Sequence, residues 1–164
     1  MVQAGEVAPD FELPDSEMEM VRLADFRGRT VVLYFYPKDD TPGCTIEAID
    51  FSELAEQFEK LQVMVLGVSM DDCMSHGSFR DKHGLSVELL ADTEGEVCSG
   101  YGVLQEREVE GHRRVGIVRS TFIIDREGIV RHALHHVNPR GHAAEVLALV
   151  KALVGAAPER KRGR

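Results

Sequence analysis

Two periods of apolar and polar positions alternate along this chain of 164 residues. Residues 31–36 (VVLYFY) are almost wholly apolar, rich in β-branched and aromatic side chains, and end at Pro37. Such a run predicts a central strand buried on both faces. Residues 63–68 (VMVLGV) and 121–124 (TFII) have the same character, and the latter stops at Asp125-Arg126-Glu127-Gly128 before Ile129 and Val130 resume, which predicts a hairpin. Between the first two runs Ile46, Ile49, Leu54, Ala55, Phe58 and Leu61 recur at helical spacing, with Glu47, Asp50, Glu53, Glu56 and Glu59 on the other side. That pattern predicts an amphipathic helix starting near Cys44 with a solvated acidic face. Further helices are predicted over 75–83, 93–101 and 142–154, the last with an apolar stripe of Val146, Leu149, Val150 and Leu153. Residues 8–15 (APDFELPD) alternate between two prolines and are followed by Val21 and Leu23, as in an edge hairpin. Strands alternating with helices give an α/β fold with parallel strands at its centre.

Composition narrows the classes. With 43% apolar and 29% charged residues the chain reads as one soluble domain, residues 1–155, followed by a basic tail, 156–164, expected to be disordered. No apolar run approaches the roughly 20 residues of a membrane helix, and Met1-Val2-Gln3-Ala4-Gly5-Glu6 lacks the pattern of a secretory signal. The expected location is cytoplasmic. A net charge of −9 argues against nucleic acid, whose phosphates call for clustered cations. Three cysteines without a C-x-x-C pair support neither a disulfide framework, nor structural zinc, nor a thioredoxin-type disulfide exchanger.

Placement gives Cys44 its chemical interest. A helix opening at a cysteine directs unsatisfied first-turn amides and positive dipole charge at the sulfur, which stabilises thiolate. The preceding loop, Lys38-Asp39-Asp40-Thr41-Pro42-Gly43, follows a central parallel strand at the edge where ligands bind in open α/β sheets. Pro37 and Pro42 restrict its backbone, Gly43 permits close approach, and the Thr41 hydroxyl can donate and accept. The pocket suits a small polar oxidant. Taken alone, Cys44 reads as an inert buried thiol.

Pro37, Thr41 and Cys44 stand at the spacing P-x-x-x-T-x-x-C, and with this motif the chain resembles the peroxiredoxins. The opening Ala8-Pro9-Asp10-Phe11, the segment Thr41-Pro42-Gly43-Cys44-Thr45 with Glu47, residues 69–76 and Arg119-Ser120-Thr121-Phe122 are similar to the bacterioferritin-comigratory or peroxiredoxin Q subgroup. The resemblance runs from Ala8 to the final helix. It implies a thioredoxin-like fold, with a central mixed sheet flanked by helices and an N-terminal β-hairpin. Cys44 would be the peroxidatic cysteine, Thr41 would hydrogen-bond the peroxide, and Arg119 would reach the thiolate from a neighbouring strand. Pro37 and Gly43 would shape the substrate site, with Gly43 and Cys44 amides binding oxygen and Glu47 orienting the helix turn or the arginine.

The implied activity is reduction of hydrogen peroxide or organic hydroperoxides to water or alcohol through a sulfenic acid at Cys44, with thioredoxin, glutaredoxin or a small thiol as reductant. The alternative is a redox-sensing or holdase module that uses the same cysteine without turning over. Ile49 and Arg80 occupy the two positions where relatives carry a resolving cysteine. Cys73 remains, placed by the topology at the same sheet edge as Cys44, as does Cys98, which also reads as a packed core residue; the other possibility is an external thiol. The C-terminal resolving cysteine of obligate-dimer relatives is absent, so a monomer is expected.

The remaining clusters add no cofactor. His132, His135 and His136 do not fall on one strand face, so they predict a solvated surface rather than a metal site. His76, three residues after Cys73, is a candidate for tuning that thiol. No glycine pattern supports a nucleotide.

Overall fold

A computed structural model describes residues 1–162, without the side chains of Arg107, Val109 and residues 156–162. Five strands form the central sheet: β3 (Thr30–Phe35), β4 (Val63–Ser69), β5 (Glu88–Ala91), β8 (Ser120–Ile124) and β9 (Val130–Leu134), in the order β5-β4-β3-β8-β9. The first three are mutually parallel, β8 runs antiparallel to β3, and β9, antiparallel to β8, returns in the direction of the first three. The sheet is therefore mixed, as expected. Both sides of β3 are covered, and its alternation sorts residues into two cores. Val31, Leu33 and Phe35 join Phe11, Leu13, Cys98, Tyr101 and Phe122 on one side. Val32, Tyr34 and Tyr36 join Cys44, Phe51, Phe58, Phe79 and Val146 on the other. Tyr34 stands opposite Gly67 in the β3–β4 register. A Cβ on Gly67 would lie 2.7 Å from Tyr34 Cζ, so this glycine makes room for the ring.

The helices on the second side are α1 (Pro42–Glu53), α2 (Ala55–Lys60), α3 (Cys73–His83) and α5 (His142–Arg162). The first helix starts two residues before the expected position. Thr41 is its extended N-cap and Pro42 its first residue, where a fixed φ and a missing amide hydrogen suit the helix start. The expected single helix also breaks at Leu54, whose amide is shared among Asp50, Phe51 and Ser52 carbonyls. The buried stripe of α1 is Cys44, Glu47, Ala48 and Phe51, so Glu47 points inward rather than onto the acidic face. The predicted helix over 75–83 begins at Cys73, capped by Asp72 accepting from the Ser75 amide at 2.8 Å, and ends at Gly84 in the left-handed region. The one predicted over 93–101 shortens to α4 (Glu96–Tyr101), because Gly95 at φ 74° precedes it and the Asp92 carboxylate accepts from the Val97 and Cys98 amides.

The N-terminal hairpin is present as β1 (Glu12–Pro14) and β2 (Met20–Arg22), tied to the sheet edge by a bridge between Asp15 and Leu90. A second hairpin, β6 (Leu104–Val109) and β7 (His112–Ile117), was not predicted. Its turn, Glu110-Gly111, has positive φ at both positions, and only the glycine marks that in the sequence. Helical backbone in α5 extends past the predicted end at 154, while the side chains of 156–162 and all of 163–164 lie outside the described residues. The expected disordered tail, 156–164, falls there. Among the described residues no helix is long and apolar enough to cross a membrane.

Candidate active site

Chain direction in the sheet brings the site together. The parallel strand β3 ends at Phe35, and the antiparallel β8 begins opposite it, Phe35 pairing with Ser120. Arg119 immediately precedes Ser120, so it emerges at the edge where the loop after β3 leads into α1. Its carbonyl is held by the Val137 amide at 3.0 Å. The guanidinium divides its donors: Nη2 lies 3.4 Å from Cys44 Sγ, and Nη1 donates to Glu47 Oε1 at 2.7 Å. Cys44 and Glu47 are one helical turn apart on the same face, which lets one planar fork reach both.

Cys44 is 1% exposed and sits at the third position of α1. Helix geometry leaves the Gly43 and Cys44 amides without intrahelical acceptors; the first such bond runs from the Thr45 amide to the Thr41 carbonyl at 2.8 Å. Helix terminus and guanidinium both turn positive charge towards the sulfur. Gly43 is where the backbone comes close to the arginine. Its φ is not positive, and a Cβ there would lie 3.1 Å from Arg119 Nη2 and 3.3 Å from Pro139 Cγ, so its smallness accommodates the arginine.

Glu47 is fully buried. Burial pushes its carboxyl up to about 7, against the pull of Arg119. Oε2 has no hydrogen-bond partner among the described residues, and neither does the hydroxyl of Tyr34. Tyr34 stacks on Phe51 with ring centroids 4.7 Å apart; burial, then the charges of Glu47 and Cys44, push its phenol well above the ordinary value. The acid therefore faces Arg119. Sequence periodicity missed this inward acid because Ile46 and Ile49 seemed to define the buried stripe; its spacing from Cys44 and Phe51 was the available signal.

Thr41 Oγ1 donates to the Lys38 carbonyl at 2.8 Å, which leaves its lone pairs to accept. Pro37 is exposed at the start of the loop. Next to it lies a polar cluster that the sequence did not reveal. Asp39 accepts from Tyr36 Oη (2.7 Å) and Ser75 Oγ (2.8 Å), and its Oδ2 lies 2.7 Å from His76 Nδ1. The Asp39 amide donates to Asp71 Oδ2 at 2.8 Å. Asp39, Asp71 and His76 could offer three ligand atoms within 4.8 Å of one another, but hydrogen bonds already engage them. His76 is thus turned to Asp39 and the Leu90 carbonyl, not to the Cys73 thiol as expected.

The other two thiols lie elsewhere. Cys73 lines a cavity of about 780 Å³ whose walls include Phe11, Leu13, Val97 and Tyr101, side chains associated with the core opposite to that of Cys44. Burial, Asp15 and Asp72 push its thiol up. Cys98 is fully buried in that opposite core, its thiol pushed far up by burial and then by Asp92. All three cysteines are free. The histidines expected on a solvated face are not uniformly so: His135 packs edge-on against Phe122, and both its ring nitrogens are buried without a partner among the described residues. Burial lowers its affinity for a second proton.

Similarity to known proteins covers these same residues. Residues 4–133 match the AhpC/TSA family. Peroxiredoxin Bcp of Bacillus subtilis is 42% identical over 150 residues, 92% of this chain and 96% of that protein. Peroxiredoxin Bcp of Escherichia coli K12 is 38% identical over 150 residues, with the same two shares. A Xanthomonas campestris bacterioferritin comigratory protein, solved to address its alkyl peroxide reduction activity, superposes with a TM-score of 0.88 at 37% identity, over 93% of this chain and 99% of that one.

Proposed function

We propose a mechanism for a chain that belongs to the AhpC/TSA family and is a thiol peroxidase: the Cys44 thiolate attacks, Arg119 and Thr41 hold the peroxide, and an outside thiol restores the sulfur. The observation that carries it is the single guanidinium 3.4 Å from Cys44 Sγ and 2.7 Å from Glu47 Oε1. The sulfur attacks one peroxide oxygen in line, the O–O bond breaks, and the departing oxygen takes a proton to become water or an alcohol. Charge grows on that oxygen as the bond lengthens. Arg119, always protonated, and the Gly43 and Cys44 amides stabilise it without reorganising. Thr41, its hydrogen committed to Lys38, accepts from the peroxide hydroxyl and orients the oxygen under attack.

Cys44 is left as a sulfenic acid. An external thiol, of the thioredoxin type or a small molecule, displaces water from it to form a mixed disulfide, and a second thiol releases Cys44 and carries away the disulfide. Two observations favour this route over an internal bridge: Cys98 lies across the sheet, and Cys73 opens onto the opposite layer with its thiol pushed up by burial and two carboxylates. A turnover cycle of this kind needs one chain only, consistent with a monomer in solution.

Peptide mapping and intact mass after one equivalent of hydrogen peroxide test the cycle in wild type, Cys73→Ser and Cys98→Ser. Sulfenic acid at Cys44 in all three is expected, with turnover on adding thiol and none in Cys44→Ser. A Cys44–Cys73 disulfide in wild type would replace the external route. Oxidation and reduction that never exceed one equivalent with any donor would favour the redox-sensing reading.

A further inference from the structure

We propose that His76 is a positioning residue for peroxide reduction, acting through a proton that it shares with Asp39 to fix the peptide that orients Thr41. The proposal rests on the Thr41 role given above. Hydrogen accounting leads to the shared proton. His76 Nε2 lies 2.9 Å from the Leu90 carbonyl, which only accepts, so Nε2 carries a hydrogen. Nδ1 lies 2.7 Å from Asp39 Oδ2. A neutral ring would then oppose a lone pair to a carboxylate oxygen at hydrogen-bond distance, so a proton must lie between them. Tyr36 and Ser75 also donate to Asp39, which favours carboxylate beside imidazolium. Burial and the charges of Tyr34 and Asp39 push the Tyr36 phenol well up, so it donates without losing its proton. The titratable groups facing His76 are Asp39, Tyr36 and Asp71; His76 is 0% and Asp39 4% exposed in their side chains.

The clamp reaches the substrate site through one peptide group. The Lys38 carbonyl and the Asp39 amide belong to the same plane: the amide donates to Asp71 Oδ2, itself held by Ser69 Oγ at 2.7 Å, and the carbonyl accepts from Thr41 Oγ1. The Asp39 side chain is fastened to β3 by Tyr36 and to α3 by Ser75 and His76. Rotation of that plane would turn the Thr41 hydroxyl. Loss of the imidazole leaves Asp39 Oδ2 without its 2.7 Å partner and loosens this attachment, whereas the Cys44–Arg119 contact draws on none of these groups.

Stopped-flow oxidation of Cys44 by hydrogen peroxide, divided by its alkylation rate with iodoacetamide, separates the two effects, because both reactions need the thiolate and only the first needs Thr41. His76→Gln is expected to lower this ratio by on the order of tenfold, as does a misplaced substrate-orienting group. It should have little further effect in a Thr41→Val background, within about twofold. Asp39→Ala, which removes the other half of the pair, should lower the ratio as His76→Gln does, whereas Asp39→Asn, whose amide can donate to a neutral Nδ1, should keep it within about twofold of wild type. An unchanged ratio in His76→Gln or in Asp39→Ala, or effects that multiply with Thr41→Val, overturns the proposal. Should His76→Gln not fold, the contrast between Asp39→Ala and Asp39→Asn decides. A Thr41→Val variant with the wild-type ratio instead overturns the Thr41 role itself.

Discussion

Replacing Glu47 with glutamine isolates the cost of placing an acid beneath the reactive sulfur. Glu47 is fully buried, with Oε1 on Arg119 and Oε2 unpartnered among the described residues. Burial raises its carboxyl from 4.5 to about 7, with Arg119 pulling the other way. An acid raised on folding binds its proton more tightly in the folded chain. Its contribution to stability is therefore complete below pH 4.5 and is lost as the pH rises through about 7. At about 1.4 kcal/mol for each pH unit across that window, the loss is about 3 kcal/mol. Glutamine keeps the shape and can offer Arg119 its amide oxygen, but it does not titrate. Unfolding free energies from urea titrations of wild type and Glu47→Gln, measured from pH about 5 to about 8, should therefore diverge, wild type losing about 3 kcal/mol relative to the variant. Groups that titrate alike in both proteins cancel in the difference. A difference that stays constant across the range would show that Glu47 does not take up a proton on folding, and the account of its burial would be wrong.

Other residues give sharper local outcomes. Gly43→Ala places a methyl 3.1 Å from Arg119 Nη2, so the guanidinium must shift; the rate of Cys44 oxidation should fall about tenfold while thermal stability changes little. Gly67→Ala drives a Cβ to within 2.7 Å of the Tyr34 ring, and the expected loss is about 1–3 kcal/mol in urea unfolding. Phe51→Ala removes a fully buried ring stacked on Tyr34 and should cost about 3–5 kcal/mol. Cys98, buried and held protonated by Asp92, should resist alkylation in the native protein and react once it is denatured; rapid native labelling at pH 8 would contradict its placement.

The central strands were legible because burial on both faces leaves an apolar run that punctuation by proline or an aspartate–glycine turn can delimit. The helix after β3 was legible too, though its start was read at Cys44 rather than Pro42, since N-cap geometry is a backbone property to which Thr41 contributes no side-chain hydrogen bond. The hairpin β6–β7 was missed: its strands alternate charged and apolar residues weakly and largely face solvent, leaving only Gly111 to signal the turn.

From sequence alone come the candidate nucleophile, the candidate threonine and arginine beside it, and the α/β order, because those depend on local spacing and on the motif they form. Tertiary structure decided which groups meet. The antiparallel return of β8 puts Arg119 beside a helix 75 residues earlier in the chain, the face of α1 turns Glu47 from solvent to that arginine, and the loop–helix packing gives Asp39 the ring of His76. The sheet also separates Cys44 from Cys98, and Cys73, although β4 before it ends at the same edge, lines a cavity walled by side chains of the opposite core. Periodicity specifies a face within one element; only the packing of elements specifies what that face meets.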